Sequence, residues 1–478
     1  MAHLDEQRSY PPGQHPDLPP PRGTTGVWGW VRKSLFSNWI NTILTLVTAY
    51  LLYIVITGLF SWSVTAAVVS GDDRRLCDLG RTSAALSEVI DRVQWQNLGS
   101  SDADVARTAN RSLNAAASAL GDVTDRMAAA SDILPPAFVA AAQQVDPAAL
   151  QQEVRAAIQA QDYERARTLL NETGPLIAWG QEHDGACWVV IKERINQFIF
   201  GFYPDEEQWR PIVFFLLLII AMAPILVPEV PYRKQLAWFT VAFPFLSAVL
   251  LYGMPSLGLE AVPTSLWGGF LLTTIIGVTG IVGSLPIGIV LALGRRSTMP
   301  IVRMLSIAFI EAIRGVPLIT ILFVASTMLP LFVPQELNPD KVIRALIMVT
   351  LFASAYMAEV IRGGLQAIPK GQYEAAAAMG HGYWQTTRLV IMPQALRITV
   401  PGIVNTFIGL FKDTSLVSII GLFDLLLSVR TAVRDGAWIG FANEVYAFAA
   451  VVYFVICFGM SRYSMYLERK LNVGTRRS

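Results

Sequence analysis

The sequence predicts an all-α integral membrane protein with about eight transmembrane helices and a helical domain inserted after the first of them. Of its 478 residues, 53% are hydrophobic and only 15% are charged, which is too apolar for a soluble globule. A helix needs roughly 20 residues to cross the hydrocarbon layer. The apolar segments that approach or exceed this length are 39–67, 211–230, 236–253, 266–293, 304–332, 342–361, 396–428 and 445–463.

Lysine and arginine residues beside these segments predict that both termini lie in the cytoplasm. Cations in short loops remain on the cytoplasmic side of a membrane. If the N-terminus is cytoplasmic, every cytoplasmic segment is rich in them. They are Arg32 and Lys33; Arg233 and Lys234; Arg295, Arg296 and Arg303; Arg362, Lys370, Arg388 and Arg397; and Arg462, Arg469, Lys470, Arg476 and Arg477. The opposite loops are poorer in cations, with Lys341, Arg344, Arg430 and Arg434 as exceptions.

Residues 1–38 are expected to form a disordered cytoplasmic tail, because the run PPGQHPDLPPPRG cannot bury a core. The first apolar segment, 39–67, is too long for a signal peptide and is interpreted as a retained transmembrane helix. Segment 211–253 holds two further helices. The chain shows no nucleic-acid-binding pattern, and membrane lipid is its expected surroundings.

Residues 70–209 predict a separate helical domain on the external side. Its sequence consists of strong helix formers with apolar residues at three- and four-residue spacing. Cys77 and Cys187 stand near its two ends and would face an oxidising compartment, where a disulfide between them would persist. The alternative is that both are buried free thiols.

The stretch EAAAAMGHGYWQTTRLVIMP, from Glu374 to Pro393, predicts an angled pair of helices between two apolar segments. Glu374 to Met379 should form a short helix, with Glu374 in its first turn where a negative charge suits the helix dipole. Gly380 can take the left-handed conformation that ends a helix. A second helix is then expected to run to Pro393.

Two interpretations of this hairpin remain open from its residues alone. The small side chains of Ala375–Ala378 leave a thin helix that a groove on another protein could enclose. Alternatively, the segment is a surface loop resting on lipid headgroups, with Trp384 as its interfacial anchor.

Ionisable residues at membrane depth are costly and therefore suggest function. Glu311 and Arg314 are three residues apart on one helix and predict an ion pair, or else a gate or pathway role for Arg314. Glu359 and Arg362 repeat this spacing. The glycines of the fourth segment predict a close-packed helix seam. They are Gly277, Gly280, Gly283 and Gly288.

The sequence Lys412-Asp413-Thr414-Ser415 divides segment 396–428 into two apolar halves. A helix broken there would offer a half-helix N-terminus to a substrate carboxylate, while Lys412 or Asp413 could meet the other charges of a zwitterion. The alternative is a helix boundary at which Lys412 and Asp413 neutralise each other. Asp424 is a further charge at membrane depth.

The hairpin resembles the EAA loop of bacterial ABC importer permeases, whose pattern is E-A-A, three residues, G, nine residues, I-x-L-P. The matching positions are Glu374-Ala375-Ala376, Gly380 and Val390-Ile391-Met392-Pro393. Longer stretches resemble permeases of the polar amino-acid importers, which carry His, Gln, Glu, Arg and opines. These stretches are FIEAIRGVPLI, AYMAEVIRGGLQAIPKGQYEAA, IMPQALRITVPGIVNTFIGLFKDTSLVSIIG and YSMYLERKL. The layout is most similar to the general L-amino-acid permease of that branch.

This resemblance implies an ABC type I importer permease core over residues 266–471, with the EAA loop at 370–393. The loop residues expected to contact a cytoplasmic ABC ATPase dimer are Glu374, Ala375, Ala376, Gly380 and Pro393. It further implies a periplasmic amino-acid-binding protein, a second and distinct permease subunit, and location in the bacterial inner membrane. The chain itself is then not an enzyme and holds no cofactor or metal.

ATP and Mg would belong to the partner ATPase, since the chain has no G-x-x-x-x-G-K-[ST] pattern. The rival hypothesis is a membrane sensor with a helical periplasmic domain. Only PYRKQ separates the second and third apolar segments, which leaves no room for a signalling helix.

Overall fold

A computed structural model describes residues 31–472, apart from Lys33, Ala66, 68–73, 228–229 and 335–337. The described residues are helical and contain no β-strand, which confirms the predicted fold class. Most of the predicted disordered tail, 1–38, lies outside the described residues. The chain divides into two compact units, Met1–Cys187 and Trp188–Ser478, which are treated separately below.

The first unit contains one long apolar helix and a helical inserted domain. The apolar helix α1, Trp39–Phe60, is capped by the Asn38 side chain and continues as a π-helical turn, Ser61–Thr65. The helices of the inserted domain are α2 (Arg74–Asp91), α3 (Ala103–Ala129), α4 (Pro136–Val145), α5 (Pro147–Gln159), α6 (Tyr163–Asn171) and α7 (Gly174–Glu182).

The inserted domain has a hydrophobic core of its own. Leu113, Leu120 and Phe138 are completely buried in it. Cys77 and Cys187 form a disulfide bond with their Cα atoms 5.9 Å apart. The domain is therefore closed by a covalent link between the start of α2 and a residue just beyond α7.

The first compact unit ends at Cys187, whereas the insertion predicted from the sequence extends to residue 209. The next helix, α8 (Val189–Phe200), packs against helices of the second unit. Its residues Phe198 and Phe200 are buried there. Twelve residues are too few to span a membrane, and this helix contains the charged run Lys192–Arg194, so its sequence carries no span signal that would separate it from the insertion.

The second unit is a helical bundle whose helices begin and end as follows. They are α9 (Trp209–Leu226), α10 (Arg233–Tyr252), α11 (Gly269–Arg295), α12 (Pro300–Arg314), α13 (Leu318–Phe323), α14 (Leu329–Phe332), α15 (Lys341–Ala367), α16 (Lys370–Ala378), α17 (Tyr383–Gln385), α18 (Met392–Asp413), α19 (Leu425–Arg434) and α20 (Ala442–Asn472). Helix α11 packs against α15, α15 packs against α18, and α18 packs against α20.

Among the described residues, six helical segments are long and apolar enough to cross a membrane, or seven if one bent pair counts as a span. They are Trp39–Val64, Asp205–Leu226, Gly269–Arg295, Lys341–Ala367, Tyr383–Ile420 and Ala442–Leu471. The predicted number of about eight included 236–253. That segment coincides with α10, in which the apolar helix is only Ala242–Tyr252.

The bent pair corresponds to the predicted segment 304–332, which is not a single helix. Helix α12 and the helical stretch Leu318–Phe332 meet at 101°. The break falls at Gly315, Val316 and Pro317. Proline disfavours the helical conformation of the residue before it, so Val316 cannot continue α12.

The glycine seam predicted in the fourth segment is confirmed. A Cβ atom at Gly277 or Gly280 would lie 2.9 Å from Phe411 or Leu410 of α18. At Gly283 and Gly288 it would lie 2.6 Å and 2.7 Å from side-chain atoms of α15. Helix α11 therefore approaches two neighbours at once because these positions have no side chains.

Candidate functional site

The EAA hairpin, defined as residues 370–393, begins with α16 (Lys370–Ala378). Pro369 precedes this helix, where its missing N–H is not needed. Because the helix starts at Lys370, Glu374 lies in its second turn. The predicted placement of Glu374 in the first turn is therefore wrong, and its side chain is exposed instead.

Gly380 terminates this helical region in the left-handed conformation, with φ at 79°. The N–H of Gly380 donates to the carbonyl of Ala377 at 3.0 Å, and that of His381 donates to the carbonyl of Ala376 at 3.1 Å. These bonds satisfy carbonyl groups that a helix end leaves open. A Cβ atom at Gly380 would meet nothing within 4 Å. The backbone conformation, and not lack of space, favours glycine here.

The helix after the turn does not end at Pro393 as predicted. It begins at Tyr383, passes through a π-helical segment, Thr386–Ile391, and continues as α18 to Asp413. Pro393 is the second residue of α18, directly after the π turn, where the changed hydrogen-bond pairing makes its missing N–H less costly. The hairpin is thus continuous with a membrane-crossing helix.

The outer surface of the hairpin consists largely of alanines and of a few large apolar side chains. Ala376 is buried, whereas Glu374 and the other alanines of α16 are exposed. Beyond the alanines, Met379, Tyr383 and Trp384 have exposed fractions of 78%, 61% and 72%. Large apolar side chains grouped on a surface in this way mark a site that contacts another protein or the membrane, and both interpretations of the hairpin are compatible with this exposure.

Two polar contacts attach α16 to the rest of the bundle. Arg296, at the end of α11, donates from Nη1 to the Leu365 carbonyl at 2.9 Å and to the Tyr373 hydroxyl at 3.2 Å. Its guanidinium also lies 5.7 Å from the centre of the Tyr373 ring. Gln394 of α18 donates to the side chain of Gln372 at 3.0 Å.

Three arginines and two glutamates form an ion-pair cluster, defined as Arg295, Glu311, Arg314, Glu359 and Arg362. Arg295 of α11 bonds to Glu311 of α12 at 2.9 Å and to Glu359 of α15 at 2.8 Å. Glu359 also pairs with Arg362 at 2.7 Å, as predicted, and lies 3.8 Å from Arg314. The predicted Glu311–Arg314 pair is not formed, because each residue finds a partner on a neighbouring helix.

The segment Lys412–Ser415 lies at the end of α18. The α-helix ends at Asp413 and is followed directly by a 3₁₀ helix, Thr414–Ile420. The predicted break, with a half-helix N-terminus open to a substrate, is therefore not formed at this position. Thr414 and Ser415 donate their hydroxyl groups to the carbonyls of Phe411 and Lys412. Within the described part of the chain, Asp413 is half-buried and takes part in no ion pair. Lys412 and Asp413 thus form no direct ion pair there, although the charge of Lys412 still acts on the Asp413 carboxylate.

Asp424 has a structural role, since it caps helix α19. Its carboxylate accepts from the N–H groups of Leu426 and Leu427 at 3.2 Å and 3.0 Å. The side chain is completely buried. A carboxylate that receives two backbone N–H groups at a helix start is a stable arrangement and needs no substrate to explain it.

The structure brings some of the predicted site residues together and leaves others apart. Glu374, Ala375, Ala376 and Gly380 share the hairpin, while Pro393 lies beyond its π segment. Arg314 belongs to the ion-pair cluster, and no described ion pair or hydrogen bond joins it to Lys412–Ser415.

Sequence reasoning missed the contacts of Arg295 and Arg296, which it used only for orientation. It also missed Tyr373. The signal that could have pointed to these residues is two consecutive arginines at the end of a long apolar segment.

The long apolar helices and the glycine seam define a multi-pass helical membrane protein, in which the exposed hairpin is a candidate docking surface. Comparison with known families is specific on this point. Residues 284–473 match the family model described as the binding-protein-dependent transport system inner membrane component. The chain belongs to the amino-acid ABC transporter permeases. Its relatives are transport subunits and not enzymes, so the sensor hypothesis finds no support.

Two curated relatives carry this assignment. The inner membrane amino-acid ABC transporter permease protein YhdY of Escherichia coli is 56% identical over 291 residues, which cover 61% of this chain and 79% of the relative. The glutamate/glutamine/aspartate/asparagine transport system permease protein BztC of Rhodobacter capsulatus is 48% identical over 362 residues, covering 63% and 83%. A crystal structure of an amino acid ABC transporter with histidines is 29% identical over 42% of this chain and 92% of that one, with a TM-score of 0.38.

Proposed function

We propose that this permease imports amino acids into the cytoplasm and receives the work for import from a separate ATPase through the EAA hairpin. The observation that carries the proposal is the exposed apolar surface around Met379 and Trp384, presented by a helix that turns at Gly380. A substrate site that opens to one side of the membrane at a time is the expected mechanism. ATP and Mg are held by the ATPase, and this chain needs no cofactor.

Import fixes the orientation of the chain. The EAA hairpin and both termini lie in the cytoplasm, in agreement with the distribution of Lys and Arg. The inserted domain then lies in the periplasm, where its disulfide would persist. A periplasmic binding protein delivers substrate, and a related but distinct second permease completes the pathway.

Polar L-amino acids are the proposed substrates. The name of the relative from Rhodobacter capsulatus includes glutamate, glutamine, aspartate and asparagine. In this chain, Asp413 is a half-buried carboxylate without an ion-pair partner among the described residues, and it could accept the substrate ammonium group. Lys412, which is exposed, offers a positive charge for a substrate carboxylate, and Thr414 and Ser415 follow it closely along the chain. Arg314 of the ion-pair cluster is a separate candidate for the pathway.

Substitutions in the hairpin test this function. Gly380→Pro removes the N–H bonded to Ala377 and forbids the positive φ, so uptake should be abolished. Glu374→Arg should also abolish uptake by reversing a charge on the docking surface. Both proteins should still reach the membrane. Normal uptake by both variants would refute the coupling role.

A matched alanine pair isolates the turn itself. A Cβ atom added at Gly380 or at Gly382 would meet nothing within 4 Å, but only Gly380 has a positive φ. Gly380→Ala should destabilise the turn by about 1 kcal/mol and lower uptake about fivefold. Gly382→Ala should leave uptake unchanged. Equal effects of the two would show that the left-handed turn is unimportant.

A further inference from the structure

We propose that Arg296 is a positioning residue that transmits displacement of the helix α16 to the end of α11, and through the adjacent Arg295 to the ion-pair cluster. This inference rests on the proposed coupling role of the EAA hairpin. It adds a route by which movement of the hairpin reaches α11, a transmembrane helix that is not next to the hairpin along the chain.

The contacts of Arg296 are suited to such a link. One guanidinium donates to both the Leu365 carbonyl and the Tyr373 hydroxyl, at 2.9 Å and 3.2 Å. The same group lies over the Tyr373 ring. A guanidinium is planar and holds several donors in fixed directions, so it resists both sliding and rotation of its partners. Arg296 therefore joins the end of α11 both to Leu365 of α15 and to Tyr373 of α16, and restricts the movement of α16 relative to these two helices.

The other polar attachment of α16 leads elsewhere. Gln372 bonds to Gln394 of α18, the helix that already follows the hairpin along the chain. Within the described residues, Arg296 supplies the hydrogen bond that joins α16 to α11. Loss of the Arg296 contacts would leave α16 attached to its chain neighbours, α15 before it and the rest of the hairpin after it, and to α18 through Gln372.

Arg295 connects the same end of α11 to two more helices. Its guanidinium reaches Glu311 of α12 and Glu359 of α15, and only 23% of its side chain is exposed. Consecutive helical residues point about 100° apart around the axis. One arginine can thus face α16 while its neighbour faces the ion-pair cluster. A displacement of the α11 end that follows α16 must change the distances from Arg295 to both glutamates.

The test uses the complete transporter, with its ATPase, second permease and binding protein, in proteoliposomes. Three quantities are measured: amino-acid uptake, ATP hydrolysis and the amount of ATPase that copurifies. Arg296→Gln should raise the ATP hydrolysed per amino acid imported about fivefold, because α16 moves without carrying α11. Tyr373→Phe keeps the ring and loses one hydrogen bond, so its effect should be smaller. Arg303→Gln, an exposed arginine on α12, is the control and should change nothing.

A double variant tests whether the two arginines act in series. If they do, Arg295→Gln combined with Arg296→Gln should uncouple no more than the stronger single variant. Additive effects would overturn the relay. An unchanged ratio in Arg296→Gln would overturn the proposal, and so would loss of the ATPase from that complex, since Arg296 would then only shape the docking surface. Failure of the coupling role itself would appear separately, as normal uptake by Gly380→Pro.

Discussion

Replacing Gly288 with alanine should destabilise the bundle, although alanine is the better helix former. Gly288 lies inside α11, which packs against α15. A Cβ atom there would lie 2.7 Å from both Cβ and Cγ of Met357 and 3.2 Å from the backbone nitrogen of Ala358. The clash involves atoms at or near the α15 backbone, so a change of side-chain rotamer cannot remove it. The two helices must move apart.

The magnitude follows from two opposing terms. Alanine in a helix interior is favoured over glycine by about 1 kcal/mol. Forcing a methyl group into a packed site costs about 1 to 3 kcal/mol, and the backbone position of the clash places Gly288 at the upper end. The expected net loss is roughly 2 kcal/mol. Gly363 of α15 is the matched control, because a Cβ atom there would meet nothing within 4 Å.

Thermal unfolding of the purified chain measures the difference. Gly288→Ala should lower the melting temperature, whereas Gly363→Ala should keep or raise it. The comparison cancels the change in helix propensity, because both substitutions are glycine to alanine within long helices. Equal stability of the two variants would refute the conclusion that close approach of α11 and α15 requires glycine.

Three further predictions concern the inserted domain, the pathway and the hairpin. Replacing Cys77 and Cys187 by serine opens a loop with a sequence separation of 110. Loop entropy predicts a stability loss of roughly 5 kcal/mol, visible as faster proteolysis of the inserted domain; equal resistance would contradict it. Asp413→Asn should raise the KM for uptake about tenfold if Asp413 binds the substrate ammonium, and an unchanged KM would remove it from the pathway. Deleting Thr387 from the π-helical segment should turn the hairpin by about 100° and lower uptake, with normal uptake as the contrary result.

The sequence predicted the turn at Gly380 because one local property decides it. Glycine alone takes a positive φ at little cost, and the alanines before it favour a helix, so helix and stop are both local signals. The helix boundaries on either side of the turn were harder to predict from the sequence. Lys370 begins α16 before Glu374, and the helix after the turn continues past Pro393 through a π turn that no residue pattern indicated.

Charge pairing was predicted less well, for a different reason. Spacing along one helix shows that Glu311 and Arg314 could meet, but partners from other helices compete for both. Arg295 reaches Glu311, and Glu359 lies near Arg314. Such competition depends on which helix ends come together, and that is a property of the folded bundle. The Glu359–Arg362 pair persists because Glu359 has room for several donors.

Besides its direct chain link to α15 through Ile368 and Pro369, the hairpin is attached to the bundle by two further routes, which determine what a displacement of α16 would do. One route is covalent: past Gly380 the chain enters the continuous helix that leads through α18 to Asp413. The other passes through Arg296 to the end of α11. Because both routes start at the hairpin, a displacement of α16 would be passed to α11 and to α18 and would change their position relative to each other.

These two helices contact each other where α11 has no side chains. Gly277 faces Phe411, and Gly280 faces Leu410. Packed helices move past each other by small sliding shifts, and a seam without protruding side chains on one partner offers little obstruction to such a shift. Phe411 and Leu410 directly precede Lys412 and Asp413. Sliding at the glycine seam would therefore move the proposed substrate residues relative to α11. Movement of the hairpin would in this way reach the pathway through α11 and α18, which are in contact with each other.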